Sequence, residues 1–332
     1  MLIFSFHKSA AGKQPGLLKV LSVNLAVLIV LLFLGEMIFR MVHFPFDPQK
    51  APSENAIARF DRDLGWAYLP DIAKNVNFGN SVKPVFTNEQ GIRVPAQGYK
   101  FSPTAPSVLF IGCSFTMGHG LSYEESFVGQ FASLPGNPWQ TVNLGVQGYG
   151  TDQSLLALEK FAPAFNTKVV VYTFIDDHVI RNGNHDRRLL YPRLLFLGTK
   201  PLFGLNDKQE LVLEKKPSLY RDYHNSYLWD AVRMKVGPLL GLFPPHPEKL
   251  THELIRQMNN YCRERGIRFV MLNWRLSKAG YNNFGGLGVE VIDSLENAPA
   301  DWPAMREPGG PHPNAEGGRH IVELLRDHLR RM

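Results

Sequence analysis

At 332 residues, with 44% apolar side chains and 20% charged side chains of both signs, the chain can build a sizeable core, which excludes a disordered or fibrous protein. Its length accommodates one large or two small domains. A net charge of +6 suits an acidic partner or a membrane surface, yet the basic clusters (Arg187-Arg188, Lys215-Lys216, Arg326 with Arg330-Arg331) are not interleaved with stacking aromatics, so no nucleic-acid partner is expected.

From Leu17 to Phe39 the sequence is almost wholly apolar, and Leu25 to Leu34 contains nothing polar. About 20 such residues span a bilayer, so residues 17–40 are expected to be a transmembrane anchor. The residues that follow, GEMIFRMVHFPFDP, offer no small-residue cleavage site, which favours an uncleaved anchor over a removed signal peptide. His7, Lys8, Lys13 and Lys19 precede the span and only Arg40 and Lys50 follow it closely, a slight positive-inside bias. The expected arrangement is a cytoplasmic segment 1–16, a single pass through the inner membrane, and the remainder periplasmic or extracellular. Residues 41–59, including the proline-rich Pro45–Ser53, read as a linker. The two cysteines, Cys113 and Cys262, are expected to be buried as small apolar residues rather than joined.

Residues 60–106 carry a glycine-punctuated extended pattern, with LGW at Leu64–Trp66 and TNEQGIR at Thr87–Arg93, and are read as an accessory segment of short strands or turns. Beyond it, short apolar runs alternate with amphipathic stretches: strand 107–112, helix 123–134, strand 141–144, helix 152–161 capped by Thr151 or Asp152, strand 168–174, helix 248–265, strand 268–272, strand 290–292 and a closing helix 315–331. Such alternation predicts an α/β fold, a three-layer α/β/α flavodoxin-like parallel sheet over residues 107–332. The rhythm breaks over residues 180–246, an aromatic-rich insertion with Tyr220, Tyr223, Tyr227, Trp229 and a hairpin expected at Leu205-Asn206-Asp207. An insertion of that length is a candidate lid or substrate-recognition element.

The chemistry-bearing residues sit where the strands end. Ser114, in Gly112-Cys113-Ser114-Phe115-Thr116, follows the first core strand, where open α/β sheets bind ligands. His312, in Gly310-Pro311-His312-Pro313-Asn314-Ala315-Glu316-Gly317, immediately precedes the last helix. Taken singly, a serine in such a loop is more often a helix cap, and His-Pro-Asn reads as a turn with an N-cap. No H-E-x-x-H or C-x-x-C occurs, His178 beside Asp176 and Asp177 is a weak metal signal, and no metal or cofactor is expected.

In order and placement, VLFIGCSFTMGHG (Val108–Gly120), VNLGVQGYGTDQ (Val142–Gln153), Phe174-Ile175-Asp176-Asp177 and the His-Pro-Asn segment resemble the blocks of the SGNH, or GDSL-like, hydrolase family. The resemblance implies that Ser114 is a nucleophile and His312 its base, an imidazole titrating near neutrality. It implies an oxyanion hole built from the Ser114 N–H, the Gly148 N–H, with Gly145 as the alternative, and position 176. The sequence departs from the family at three places. Cys113 replaces the usual aspartate; Asp176 replaces the donor asparagine, so that either it is protonated, Asn182 substitutes, or turnover is weak; and Gly309 stands where the acid of D-x-x-H belongs. Glu307 and Asp301 are candidates to orient His312, with a Ser-His dyad oriented by a backbone carbonyl as the alternative.

The resemblance implies a membrane-anchored serine esterase for acyl or acetyl groups of envelope or secreted polysaccharide. Its rivals are a polysaccharide O-acyltransferase using the same residues with a membrane acyl-donor partner, and a degenerate carbohydrate-binding domain.

Overall fold

The computed structural model describes residues 16–43, 57–79, 81–187, 190–191, 197–219, 226–229, 232, 236, 239, 247–308 and 310–329. Most of the predicted linker, Tyr220, Tyr223 and Gly309 lie outside these. Helix α1 (Leu17–His43) is the long apolar helix, and none of its span Leu17–Met41 is buried.

The sheet grows from short runs of β-branched and aromatic residues. Strands β1 (Ala58–Asp61) and β2 (Gly65–Tyr68) form a separate antiparallel hairpin. Strands β3 (Ala73–Asn77), β4 (Val82–Thr87) and β5 (Arg93–Val94) follow. The core units are β6 (Pro106–Ile111), α2 (Ser114–Met117), α3 (Phe127–Ala132), β7 (Gln140–Asn143), α4 (Thr151–Phe161), β8 (Asn166–Phe174) and α5 (Asp177–Asn182). They continue through the hairpin β9 (Leu202–Leu205) and β10 (Leu211–Lys215), then α6 (Pro247–Glu264), β11 (Arg268–Asn273), β12 (Glu290–Asp293) and α7 (Ala315–Leu329).

The main sheet has the order β12-β11-β8-β6-β7-β5-β4-β3. Its first five members are parallel, and their order is that of a flavodoxin-like sheet, with the direction of winding reversing between β6 and β8. Along the strands alternate residues face opposite layers. Val108, Phe110, Val169 and Val171 pack with Phe127, Phe131, Ile321 and Leu325 from α3 and α7. Leu109, Ile111, Val170 and Tyr172 pack with Leu155, Leu158, Leu254 and Met258 from α4 and α6. Each large side chain so buried contributes about 1.5–3 kcal/mol, which is why these runs read as continuous apolar segments in the sequence.

The five main-sheet strands of residues 107–332 are parallel as expected, and the accessory strands β5, β4 and β3 extend that sheet antiparallel from β7, joined at Arg93↔Asn143. They cover an edge that would otherwise expose unpaired backbone groups. Two expectations about helix starts are corrected. Helix α3 starts at Phe127, not at 123, since Ser126 caps it by accepting from the Gly129 N–H at 3.2 Å. Helix α4 is capped by neither Thr151 nor Asp152. Gly150 occupies the cap, the Thr151 N–H donates to Asn182 Oδ1 at 2.8 Å, and Asp152 is spent on a fully buried ion pair with Lys200. The expected hairpin at Leu205-Asn206-Asp207 is present, its turn closed by Asn206 Oδ1 accepting from the Lys208 and Glu210 N–H groups at 3.0 and 2.9 Å.

Candidate active site

Ser114 is set by a turn fixed at both ends. Gly112, which ends β6, has φ of +150°, and a Cβ there would lie 2.4 Å from Thr116 Oγ1 and 3.1 Å from the Thr173 carbonyl, so only glycine fits. Gly118 closes α2 in the left-handed region, φ +83°. The carbonyls that so short a helix leaves without partners are taken by Arg93, whose buried guanidinium donates to Met117 O, to Gly118 O at 3.0 Å and to Leu121 O at 2.7 Å. Each such buried acceptor left unpaired would cost about 1–3 kcal/mol. Arg93 thus ties the TNEQGIR segment to the turn that carries Ser114. Cys113 is a buried thiol inside the apolar core, as is Cys262, and the two are not bonded to each other.

His312 arrives from the loop before α7. The Glu307 N–H donates to the His312 carbonyl at 2.7 Å, and Asn314 caps α7 by accepting from the Gly317 N–H at 2.9 Å. The cap reading of His-Pro-Asn therefore holds for Asn314 and leaves the imidazole free to face β6. His312 Nε2 lies 2.8 Å from Ser114 Oγ. Across 198 residues of sequence, a serine hydroxyl and an imidazole meet at hydrogen-bond distance.

The strand ends bring the remaining predicted residues to the same place. Ser114, Gly148, Asp176 and His312 all line one cavity of about 780 Å³, at the carboxyl ends of β6, β7 and β8. The Ser114 N–H belongs to the first turn of α2, where helical N–H groups have no intrahelical partner. Gly148 has φ of +73°, and its neighbours are tied to β2: Trp66 Nε1 donates to the Gln147 carbonyl at 2.8 Å, and the Tyr149 hydroxyl donates to the Trp66 carbonyl at 2.6 Å. Gly145, the alternative, gives its N–H to Asn143 Oδ1 at 3.0 Å and is packed against the backbone of Thr116 and Met117. Gly148, not Gly145, faces the cavity.

Asp176 lines the cavity with Oδ1 accepting from the Tyr281 N–H at 3.1 Å. Burial, reinforced by the neighbouring Asp177, raises its pKa above the usual carboxylate range. Asn182 does not substitute for it. Its Oδ1 accepts from the Thr151 N–H, and its Nδ2 donates to Thr151 Oγ1 and Thr251 Oγ1 at 2.9 and 2.7 Å, in a buried knot behind the cavity wall. His178, the weak metal signal, is buried with Nδ1 2.8 Å from the Tyr172 hydroxyl.

Neither predicted orienting acid meets the imidazole. Among the described residues, no carboxylate hydrogen-bonds His312; the Glu307 side chain lies against Gly120, and Asp301 is exposed at the start of a 3₁₀ turn. What holds the ring is packing. His119 stacks on it at 4.0 Å between centroids and 26° between planes, with Phe115 at 5.4 Å, and His119 Nδ1 is itself 2.7 Å from Gln147 Nε2. Burial, with His119 and Arg181 nearby, pushes the His312 pKa down to about 3, well below the near-neutral value the resemblance implied. The physical reason is first the burial of the ring, which penalises the charged form, with no hydrogen-bonded carboxylate among the described residues to offset it and the Arg181 guanidinium nearby. His312 is therefore neutral, and able to accept a proton, from about pH 3 upward.

Beyond the aromatics of the insertion, no local sequence pattern marks the cavity walls. Trp66 and Tyr68 come from the β2 hairpin, Trp274 from the end of β11, and Tyr191 from the insertion, where its hydroxyl donates to Asp177 Oδ2 at 2.7 Å. Arg181 completes that group, donating to Asp177 Oδ2 at 3.1 Å and to the Tyr149 carbonyl at 3.0 Å.

No family model matches the chain, and no curated protein matches it. Solved structures similar to it include a member of the lipolytic protein G-D-S-L family from Veillonella parvula, at 12% identity over 69% of this chain and 100% of that one, with a TM-score of 0.38. A GDSL-like lipase from Bacteroides thetaiotaomicron is 11% identical over 68% of this chain and 88% of that one, TM-score 0.37. TesA is 14% identical over 68% of this chain and 98% of that one, TM-score 0.39.

Proposed function

We propose that this chain is a membrane-anchored serine esterase of the SGNH class, acting on acyl or acetyl esters of envelope or secreted polysaccharide. The observation that carries the reading is the 2.8 Å pair of Ser114 Oγ and His312 Nε2, opening on a cavity that Gly148 also lines. In this reading His312 Nε2 takes the Ser114 proton as Oγ attacks the ester carbonyl, and the Ser114 and Gly148 N–H groups hold the resulting oxyanion. The tetrahedral intermediate collapses, the leaving alkoxide takes the proton from His312, and an acyl-Ser114 remains. Water, deprotonated by His312 in its turn, releases the acid and restores the serine.

The half-buried Tyr191 ring on the cavity wall suits the face of a sugar ring, which supports a carbohydrate ester over a soluble small ester. Helix α1 supports an anchor, since its exposed apolar length equals a bilayer span, with the cavity domain on the outer side of the inner membrane. The full-length protein, in detergent, should release acetate from acetylated oligosaccharides faster than from an aryl acetate at equal concentration. Turnover of the aryl ester with none from any acetylated sugar would overturn the polysaccharide assignment. Acetyl groups appearing on an added sugar acceptor, without free acetate, would make the protein a transferase.

A further inference from the structure

Away from the cavity, the last turns of α1 carry a second built arrangement. Glu36 stands near the end of an otherwise apolar helix, where a lone carboxylate is costly. It is not alone. Its Oε2 accepts from Ser226 Oγ at 2.8 Å and from the Leu228 N–H at 3.0 Å, and its Oε1 accepts from the Tyr227 N–H at 3.1 Å and Arg40 Nε at 2.7 Å. Ser226 Oγ accepts in turn from the Trp229 N–H at 3.0 Å. Glu36 and Ser226 thus cap the helical turn that begins at Tyr227, satisfying N–H groups that a helix start leaves open. Tyr227 is buried, its ring 4.9 Å beneath the Arg40 guanidinium, and a Cβ on Gly35 would touch Leu228 Cδ2 at 3.4 Å. A free tether would need none of these contacts.

The segment held in this way turns apolar groups outward. Trp229 is 61% exposed and Leu239 83%, with Val232 and Val236 also exposed. In sequence these four recur at three- and four-residue spacing. The exposed leucines and valines of α1 lead to the Glu36 turn that holds Tyr227–Trp229. In sequence the same stretch holds Arg233 and Lys235 against the single acid Asp230, a balance suited to anionic headgroups.

We propose that the Tyr227–Trp229 turn, locked to the anchor through Glu36, holds the protein at the membrane surface and beds Trp229, with Val232, Val236 and Leu239, at the boundary of headgroups and acyl chains. The domain then sits against the bilayer in a fixed orientation instead of swinging on a linker. This rests on the reading of α1 as a membrane anchor.

The test uses the full chain reconstituted in phosphatidylcholine and phosphatidylglycerol vesicles, with plain or brominated acyl chains. The five tryptophans are Trp66, Trp139, Trp229, Trp274 and Trp302, and α1 contains none of them. Bromine quenching therefore reports on Trp229. Emission should fall in brominated vesicles, the fall should vanish in Trp229→Phe, and it should drop by at least half in Glu36→Leu, which leaves the span apolar. A chain that floats with vesicles yet shows no quenching, or the same quenching in Trp229→Phe, overturns the surface element alone. Full quenching in Glu36→Leu overturns the lock. A chain that does not float with vesicles overturns both this inference and the anchor.

Discussion

Replacing Ser114 by alanine is expected to lower kcat/KM for an aryl acetate by roughly 10³- to 10⁶-fold, with folding intact. The side chain is small, 4% exposed and on a turn whose geometry depends on Gly112, Gly118 and Arg93 rather than on the serine hydroxyl. His312→Ala should lose activity on a similar scale, because the serine Oγ has no other base within reach: its one side-chain partner among the described residues is His312 Nε2, at 2.8 Å. The double variant should be no slower than the worse of the two single variants, since groups that act as a unit are lost as a unit. Steady-state kinetics on the three variants, beside their thermal unfolding, checks this. Two losses that multiply would mean that serine and histidine act separately.

Replacing Asp176 by asparagine is expected to work in the opposite direction, raising kcat/KM at neutral pH by about 10- to 10²-fold. One oxyanion donor is worth about 10²–10³ in rate, and an ionised carboxylate at that place opposes the charge that develops. Asp176 lines the cavity with Ser114 and Gly148, and its pKa is raised by burial and by Asp177. In the natural chain, kcat/KM should therefore rise as pH falls through that raised pKa, because the protonated carboxyl becomes a donor. His312 does not cancel the effect, since it stays neutral down to about 3. In Asp176→Asn that acid-side rise should be absent. A rate that falls on the substitution, with the pH profile unchanged, would show that Asp176 serves the site as a carboxylate.

The core sheet was readable because its strands are buried on both faces. Val108–Ile111 is wholly apolar and Val169–Phe174 carries only Tyr172 and Thr173 as polar groups, both buried, and their spacing by helices points to a parallel order. Ser114 stands out by its place at a strand end, whereas Gly148 and His312 are picked out by the family resemblance; the structure brings all three to one cavity. What sequence missed depends on distant partners. The join of β5 to β7 rests on the one pairing of Arg93 with Asn143, and Arg93 gives no local sign that its targets lie 24 to 28 residues onward. Asn182 resembled a spare donor until Thr151 and Thr251 were seen to use it. His119, five residues from Ser114, carried no periodic signal, yet it stacks on the catalytic imidazole of the proposal. Glu307 does not orient His312 for a related reason: nearness in sequence puts its N–H on the histidine's carbonyl, not its carboxylate on the ring.

The most direct test of the central claim is to treat the full-length protein with a fluorophosphonate and map the adduct by peptide mass. A phosphonylated Ser114, absent in His312→Ala at neutral pH, is the predicted result. An adduct on any other serine, or a folded protein that stays unlabelled while a control esterase reacts, would contradict it.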